Sequence, residues 1–123
     1  MKTTIRIAIA DDDDMVRTAL RRYLTQEPDF VWVGEGADGS DAIALVQSAV
    51  IDVLLLDVSM PRMGGLQALA QVRAAAPHTR VVMLSSHADH GYQQRSFQLG
   101  AVAYLLKGGD PHEIVDAIRT AMA

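Results

Sequence analysis

Four short apolar runs in this chain each end in a polar residue, and this pattern constrains the fold more than any other feature. The runs and their polar ends are Ile5–Ala10 before Asp11 and Asp12, Val53–Leu56 before Asp57, Val81–Leu84 before Ser85, and Val102–Leu106 before Lys107. Continuous Val, Ile and Leu runs that alternate with amphipathic segments are typical of parallel strands buried between two layers of helices. Because such sheets gather their chemistry at the carboxyl ends of the strands, these polar residues should meet at one edge.

The chain reads as five strand–helix units within one α/β domain over residues 1–123. The predicted strands are Ile5–Ala10, Phe30–Gly34, Ile51–Leu56, Arg80–Leu84 and Val102–Leu106. The predicted helices are one that follows Asp14 as its N-cap, then Asp41–Ala49, Leu66–Ala76 and Asp89–Leu99, and a last one from the Asp110-Pro111 cap to Met122. At 123 residues, a single core can bury about two thirds of the surface of the unfolded chain, and no second domain is expected.

Composition excludes several classes of function. The chain has no cysteine, which rules out disulfides, thiolate catalysis and cysteine-based zinc sites. Its net charge of −4, without a cluster of Lys or Arg, argues that this chain does not bind nucleic acid by itself. No apolar stretch approaches the roughly 20 residues that span a bilayer, and no signal peptide opens the sequence. We therefore expect a soluble, cytoplasmic protein without membrane contact.

The three carboxylates of the predicted edge indicate a cation site. Asp11, Asp12 and Asp57 would repel one another too strongly to be left uncompensated in a partly buried site, and Lys107 alone cannot offset them. Oxygen ligands without His or Cys favour Mg²⁺, or Mn²⁺, with phosphate oxygens completing the coordination. The predicted substrate is therefore a phosphoryl group, with Asp57 as a carboxylate nucleophile and Lys107 and the Ser85 hydroxyl as partners of the phosphoryl oxygens.

The ordered set of motifs resembles the receiver domain of two-component response regulators over the whole chain. The motifs are Ala10-Asp11-Asp12, the stretch from Leu56-Asp57 through Met60-Pro61 to Gly64-Gly65, Leu84-Ser85-Ser86, and Tyr104-Leu105-Leu106-Lys107. Within this family, the loop Gly34–Gly39 and the Tyr104–Lys107 ending resemble the NarL/FixJ branch of transcription regulators, also called LuxR-type. The resemblance implies a flavodoxin-like sheet of five parallel strands in the order 2-1-3-4-5, with helices on both faces.

The resemblance also implies roles for individual residues. Asp57 would be the phosphoacceptor and would receive its phosphoryl group from a sensor histidine kinase. Asp12 would bind Mg²⁺ directly and Asp11 mainly through water, with Asp57 and the backbone carbonyl of Ser59 completing the protein ligands. Lys107 would pair with the phosphoryl oxygens. The domain would act as a signalling switch that assists its own phosphorylation and dephosphorylation, and not as an enzyme with a separate substrate.

The switch residues implied by the resemblance lie on the other side of the site. Ser85 would move toward the phosphoryl group, and Tyr104 would turn inward to fill the vacated space, which links the site to the surface of the fourth helix and fifth strand. A plain packing role for Tyr104 is equally open. Ser59 and His87 occupy positions that tune the access of water in the family, so the lifetime of the phosphoryl group stays open. A transition-metal site at His87 and His90 is a minor alternative.

Two further alternatives concern the metal pair and the class of protein. Asp12 and Asp13 could form the pair if the first strand were one residue longer, but Asp11 and Asp12 are preferred because this leaves Asp14 as the helix cap. The functional alternatives are a phosphorylation-independent interaction module, a haloacid-dehalogenase-like phosphatase and a flavodoxin-like cofactor binder. The phosphatase would need an acidic residue where Ser59 stands, and Asp11–Asp14 would repel the phosphate of a flavin cofactor.

Output and assembly are expected from the same resemblance. The parent protein would regulate transcription through a C-terminal helix-turn-helix domain that contacts DNA and that this chain lacks. Phosphorylation would promote homodimerisation through the last helix, in which Ile114, Val115, Ile118 and Met122 form an apolar stripe that could remain partly exposed.

Overall fold

The computed structural model describes residues 3–86 and 90–123, in which five strands alternate with five helices. The strands are β1 (Ile5–Ala10), β2 (Phe30–Gly36), β3 (Val53–Asp57), β4 (Arg80–Ser85) and β5 (Ala103–Leu106). The helices are α1 (Asp14–Leu24), α2 (Gly39–Ser48), α3 (Gly65–Ala75), α4 (His90–Gln98) and α5 (His112–Met122). Among the described helices, none is long and apolar enough to cross a membrane.

The strands form one parallel sheet in the order β2-β1-β3-β4-β5, which confirms the predicted fold. Each crossover between neighbouring strands carries a helix, as parallel pairing requires. The register aligns the carboxyl ends of the strands: Ala10 lies opposite Leu56, Asp57 opposite Leu84, and Ser85 opposite Leu106. The polar residues at or just after these ends therefore lie at one edge of the sheet.

Each face of the sheet is covered by its own apolar core. On one face, side chains such as Leu54, Leu56 and Met83 pack against α2 and α3. On the other face, side chains such as Ile9 and Leu55 pack against α1 and α5. All five residues of β3 are buried, which explains why its sequence is a continuous apolar run without the alternation of a half-exposed strand.

Several helix starts differ from the sequence-based prediction. Asp13 is the N-cap of α1, where its side chain accepts hydrogen bonds from the backbone N–H groups of Met15 and Val16, so the assignment of Asp14 as the cap is wrong. Strand β2 continues to Gly36, and α2 begins at Gly39 because the Asp38 side chain caps it by accepting from the N–H of Asp41. The residues predicted as a loop are thus largely strand end and helix start.

The turn after β3 depends on close backbone packing. A Cβ atom on Gly65 would lie 2.1 Å from the backbone oxygen of Asp57, so this position admits only glycine without a shift of the strand end. The Gly65 N–H donates to the oxygen of Val58 at 3.0 Å and starts α3 directly behind the turn. Arg62 has a positive φ of 66° in the same turn. Glycine at position 65 thus lets α3 begin directly against the backbone of Asp57.

The last helix uses its apolar stripe inside the domain. Ile114, Val115 and Ile118 are buried against the sheet and Met122 is half-buried, so of the stripe expected to remain partly exposed only Met122 does so. The physical reason is that α5 packs against β4 and β5, where these side chains join the core on that face of the sheet. Any surface that α5 offers to a partner therefore lies on its other side.

Candidate functional site

The centre of the site is one ammonium group shared by two buried carboxylates. Lys107 Nζ lies 2.7 Å from Asp11 Oδ2 and 2.9 Å from Asp57 Oδ2. Asp11 is 0% exposed and Asp57 is 2% exposed, so water compensates little of their charge. Within the described residues, neither Oδ2 atom accepts a hydrogen bond of good geometry, which leaves the ion pair with Lys107 as the contact that stabilises both.

Backbone hydrogen bonds between neighbouring strand ends hold these residues in place. The Val58 N–H donates to the oxygen of Leu84 at 2.9 Å, and the Lys107 N–H donates to the oxygen of Ser85 at 2.9 Å. Asp57 and Lys107 therefore flank β4, one on each side, with their backbones tied to it. The Asp57 Oδ1 atom accepts from the Ser59 N–H at 3.2 Å, which fixes the orientation of the carboxylate.

A third carboxylate faces the same space. One carboxylate oxygen each from Asp11, Asp12 and Asp57 lies within 4.8 Å of the others, and Asp12 is exposed while the other two are buried. Asp13 is not a member of this group, and its side chain caps α1. The three carboxylates and the single ammonium leave a formal charge of −2 when all are ionised. A divalent cation would balance this charge.

Burial and the neighbouring charges shift the pKa values of the pair. The pKa of Asp57 is raised from 3.8 to about 6, because burial and the charge of Asp11, which raise it, together outweigh the contacts with the Lys107 ammonium and the Ser59 N–H, which lower it. Burial pulls the pKa of Lys107 down, but its contacts with Asp11 and Asp57 outweigh burial and raise it above 10.5. Lys107 is therefore a cation at neutral pH, and Asp57 is a carboxylate held at an electrostatic cost.

A polar cavity of about 210 Å³ opens over this group. It is lined by Asp12, Asp13, Asp57, Ser59, Ser85, Ser86 and Lys107. Its volume suits a phosphoryl group and the water around a small cation, and its walls offer oxygen donors and acceptors together with one ammonium. The structure thus brings together the residues predicted at this edge, with Asp11 beneath the cavity.

Tyr104 is not among the described residues that line this cavity. Tyr104 lies on β5 opposite Met83, half-buried, and packs against the core on the α2 and α3 face. His87 lies outside the described residues, and of His90 only the backbone, at the start of α4, is described.

The donor set fits Mg²⁺ or Mn²⁺. The available ligands are carboxylate oxygens at the end of β1 and of β3, with no cysteine in the chain. Hard oxygen donors of high charge density favour Mg²⁺, which keeps several waters and binds through a few carboxylates. The two buried Oδ2 atoms that share one ammonium provide charge that a cation would neutralise.

One contact of the site was not predicted from the sequence. The Arg17 guanidinium donates to the backbone oxygen of Asp11 and to the Asp14 side chain, and its Nε donates to Glu35 at 3.0 Å. Arg17 lies in the first turns of α1, among residues whose helical spacing indicated only an amphipathic helix. The sequence signal was an arginine close behind the acidic run, which is too common to indicate a contact by itself.

A parallel sheet with this strand order is the flavodoxin-like fold, and its acidic cluster and lysine lie at the carboxyl edge, where such folds bind their ligands. Residues 7–119 match the family described as response regulator receiver domain. The chain belongs to this family.

Relatives and solved structures agree with this assignment. The chain is 41% identical to the uncharacterized transcriptional regulatory protein YxjL of Bacillus subtilis, over 98% of this chain and 55% of YxjL. It is 35% identical to the response regulator UvrY of Escherichia coli K12, over 94% of this chain and 53% of UvrY. The signal receiver domain of the response regulator NarL from Mycobacterium tuberculosis superimposes with a TM-score of 0.91 and 34% identity, over 98% of each chain.

These findings confirm the predicted resemblance to receiver domains of the NarL and LuxR type. They also decide against a haloacid-dehalogenase-like phosphatase and a flavodoxin-like cofactor binder as the class of this protein. The chain spans about half the length of the curated relatives it matches. The comparisons therefore identify this chain as a signalling domain of the receiver family.

The raised pKa of Asp57 predicts a pH-dependent effect of Asp57→Asn on stability. Between about pH 4 and pH 6 the folded protein holds a proton on Asp57 that the unfolded chain has lost, so this group's contribution to stability falls as the pH rises through that window. In metal-free buffer at about pH 8, Asp57→Asn should raise the free energy of unfolding by about 1–2 kcal/mol, because Asn carries no buried charge. This gain in the free energy of unfolding should disappear toward about pH 4, where Asp57 is neutral in the folded wild-type protein.

Urea unfolding of both proteins over this pH range, with a chelator present, measures the difference. A variant that is equally stable or less stable at about pH 8 would show that the Lys107 ion pair fully compensates the buried Asp57 charge.

Proposed function

We propose that this chain accepts a phosphoryl group on Asp57 in a reaction that needs Mg²⁺ or Mn²⁺, and that this modification controls an output. The observation that carries the proposal is the position of the Asp57 carboxylate, which lies on the floor of a polar cavity, 2.9 Å from the Lys107 ammonium and beside two further carboxylates. This arrangement combines a nucleophile, a cationic partner for phosphoryl oxygens and a cation site.

The chemical step is a transfer between a phosphohistidine and Asp57. A carboxylate oxygen of Asp57 attacks the phosphorus atom and forms a new P–O bond, while the P–N bond to the donor imidazole breaks. The electron pair of the broken bond stays on the imidazole nitrogen, which takes up a proton from water. Because the pKa of Asp57 is about 6, the attacking carboxylate is largely ionised at neutral pH.

The cation would be held by Asp11, Asp12, Asp57 and the backbone carbonyl of Ser59. When bound, it supplies positive charge that neutralises phosphoryl oxygens and lets them approach the acidic site. Asp12 would bind it directly, since its carboxylate is exposed to the cavity, and the buried Asp11 would bind it mainly through water. Asp11 also keeps Lys107 at the site through the 2.7 Å contact with its ammonium.

Lys107, Ser85 and Tyr104 would convert the modification into a change of surface. The phosphoryl oxygens would take over the Lys107 ammonium from the Asp57 Oδ2 atom. Ser85 is 2% exposed at the end of β4 and lines the cavity, so a small movement would bring its hydroxyl to the phosphoryl group. Tyr104 would then turn into the space beside β4 and alter the surface of α4 and β5.

The partners follow from the family. The donor would be a sensor histidine kinase, and the output would be transcription through a C-terminal helix-turn-helix domain of a longer protein that contacts DNA. Two observations support this proposal: the curated relatives include a transcriptional regulatory protein, and this chain aligns with about half of it. The second candidate function is an interaction module that works without phosphorylation, which the same fold permits.

Intact mass after incubation with acetyl phosphate and Mg²⁺ tests the phosphoacceptor. We expect one added phosphoryl group on the wild-type chain, none on Asp57→Asn, and none when a chelator removes the cation. Ser59→Ala serves as the matched control, because it removes a nearby hydroxyl of the same cavity but keeps the backbone carbonyl, and it should still be modified.

An adduct that persists in Asp57→Asn would place the acceptor at another residue. If the wild-type chain forms no adduct and does not bind the phosphoryl mimic beryllofluoride, the interaction module becomes the better description.

Phosphorylation is also proposed to promote homodimerisation through a surface that includes α5. With Ile114, Val115 and Ile118 buried, the remaining surface is a shallow groove that α5 forms with the start of β5, where Val102 is 48% exposed. Sedimentation with beryllofluoride and Mg²⁺ should show a shift from monomer to dimer that Val102→Asp prevents. Val50→Asp is the control, because Val50 is 70% exposed after α2, away from this groove. A chain that stays monomeric at high concentration would contradict the proposal.

A further inference from the structure

Arg17 uses all three nitrogens of its guanidinium beside the acidic site. Its Nη1 donates to the backbone oxygen of Asp11, its Nη2 donates to Asp14 Oδ1, and its Nε donates to Glu35 Oε2 at 3.0 Å. The side chain is only 14% exposed, although arginine at a helix surface usually extends into water. A guanidinium with three fixed acceptors has one orientation, so it can act as a rigid support.

The contact with Asp11 falls on a particular peptide unit. The backbone oxygen of Asp11 belongs to the peptide that joins Asp11 to Asp12, the two neighbouring carboxylates of the candidate cation site. A peptide unit is planar, so fixing its oxygen fixes the direction in which both residues leave the strand. The Asp11 carboxylate has its own contacts with Lys107 and the Asp13 N–H. The Asp12 carboxylate has no hydrogen bond within the described ranges, so the backbone alone sets its position.

Glu35 holds Arg17 from the edge of the sheet. Glu35 lies on β2 opposite Ile9, and its carboxylate accepts from Arg17, from Arg21 at 2.6 Å and from Trp32 Nε1 at 3.2 Å. Because three donors hold this carboxylate in one position, it can in turn fix the position of the Arg17 guanidinium. A backbone hydrogen bond also ties Asp11 to β2, because the Asp11 N–H donates to the oxygen of Gly36 at 3.0 Å.

We propose that Arg17, anchored by Glu35, is a positioning residue that orients the peptide unit between Asp11 and Asp12 and thereby strengthens binding of Mg²⁺ at the acidic site. This inference rests on the proposed function, because it assumes that the three carboxylates bind a cation. It adds a support that lies on α1 and β2, outside the cavity. Outer residues that orient metal ligands typically change metal affinity by about 10–100-fold when they are removed.

The direction of the change in Mg²⁺ affinity on removal of Arg17 distinguishes a positioning role from a purely electrostatic effect of its charge. Arg17 is a cation close to a cation site, so Coulomb repulsion alone predicts that its removal tightens Mg²⁺ binding. Positioning predicts the opposite, because without the guanidinium the peptide between Asp11 and Asp12 can rotate and the Asp12 carboxylate is no longer held near the other two. Loss of global stability alone predicts neither change in the affinity of the folded protein.

The test is an NMR titration of the folded protein with Mg²⁺, followed through the backbone amides of residues 12–14. Arg17→Gln should weaken binding by about ten-fold relative to the wild type. Arg22→Gln is the matched control, because it removes the same charge from the exposed side of the same helix, and Arg22 makes no ion pair within the described residues. It should change the dissociation constant by less than two-fold.

Arg17→Lys keeps the charge and removes the planar fork, and it serves if Arg17→Gln does not fold. Electrostatics alone predicts unchanged binding in Arg17→Lys, whereas positioning predicts weaker binding, because a single ammonium cannot contact Glu35, Asp14 and the Asp11 oxygen together. The double variant that combines Arg17→Gln with Glu35→Gln should bind Mg²⁺ no more weakly than Arg17→Gln alone, since Glu35 acts through Arg17.

The outcomes distinguish the two proposals. If the wild-type chain does not bind Mg²⁺, the proposed function fails and the positioning role fails with it. If the wild type binds Mg²⁺ and both Arg17→Gln and Arg17→Lys bind as tightly or more tightly, only the positioning role is overturned. Weaker binding in both variants with unchanged binding in Arg22→Gln supports it.

Discussion

The shared ion pair of Lys107 with Asp11 and Asp57 is the interaction on which the rest of the site depends. Two carboxylates are buried at adjacent strand ends, and one ammonium lies within 3 Å of both. A single positive charge cannot compensate two buried negative charges, and the pKa of Asp57 is raised by burial first and then by the charge of Asp11, despite the contact with Lys107. The site forms, yet part of its negative charge stays uncompensated. The proposed function, in which the site binds a cation and then a phosphoryl group, would need both properties.

The sheet makes this imbalance possible. In a parallel sheet, covered on both faces, the strand ends are held by backbone hydrogen bonds and by core packing, so side chains there can be forced together at an electrostatic cost. Here the cores behind β1 and β3 hold Asp11 and Asp57 in place, and Gly65 lets the chain turn directly behind Asp57. The stability of the cores thus supports a strained arrangement of charge at the edge.

Sequence reasoning predicted the sheet and the group of polar residues at its edge, because continuous apolar runs with polar ends are a strong signal of buried parallel strands. It was weaker where several residues of one type compete. In the run of four consecutive aspartates, Asp13 caps α1 and not the predicted Asp14, because neighbouring residues of one type give the same local signal. The sequence shows the apolar stripe of α5, but whether these side chains pack in the core or face solvent depends on the neighbouring elements. The contact of Arg17 with the Asp11 oxygen joins a side chain to backbone, and no residue pattern encodes such a contact.

A direct measurement of the Asp57 carboxyl pKa tests the central claim that Asp57 is a buried carboxylate whose negative charge is incompletely compensated in the metal-free protein. Carbon-13 NMR of the Asp57 side-chain carboxyl, followed over pH without and with Mg²⁺, reports the pKa of this group alone. We expect the titration midpoint of this carboxyl to lie near pH 6 in the metal-free protein and to move to lower pH when Mg²⁺ is added. A midpoint near the ordinary value of 3.8, or one that Mg²⁺ does not move, would contradict it.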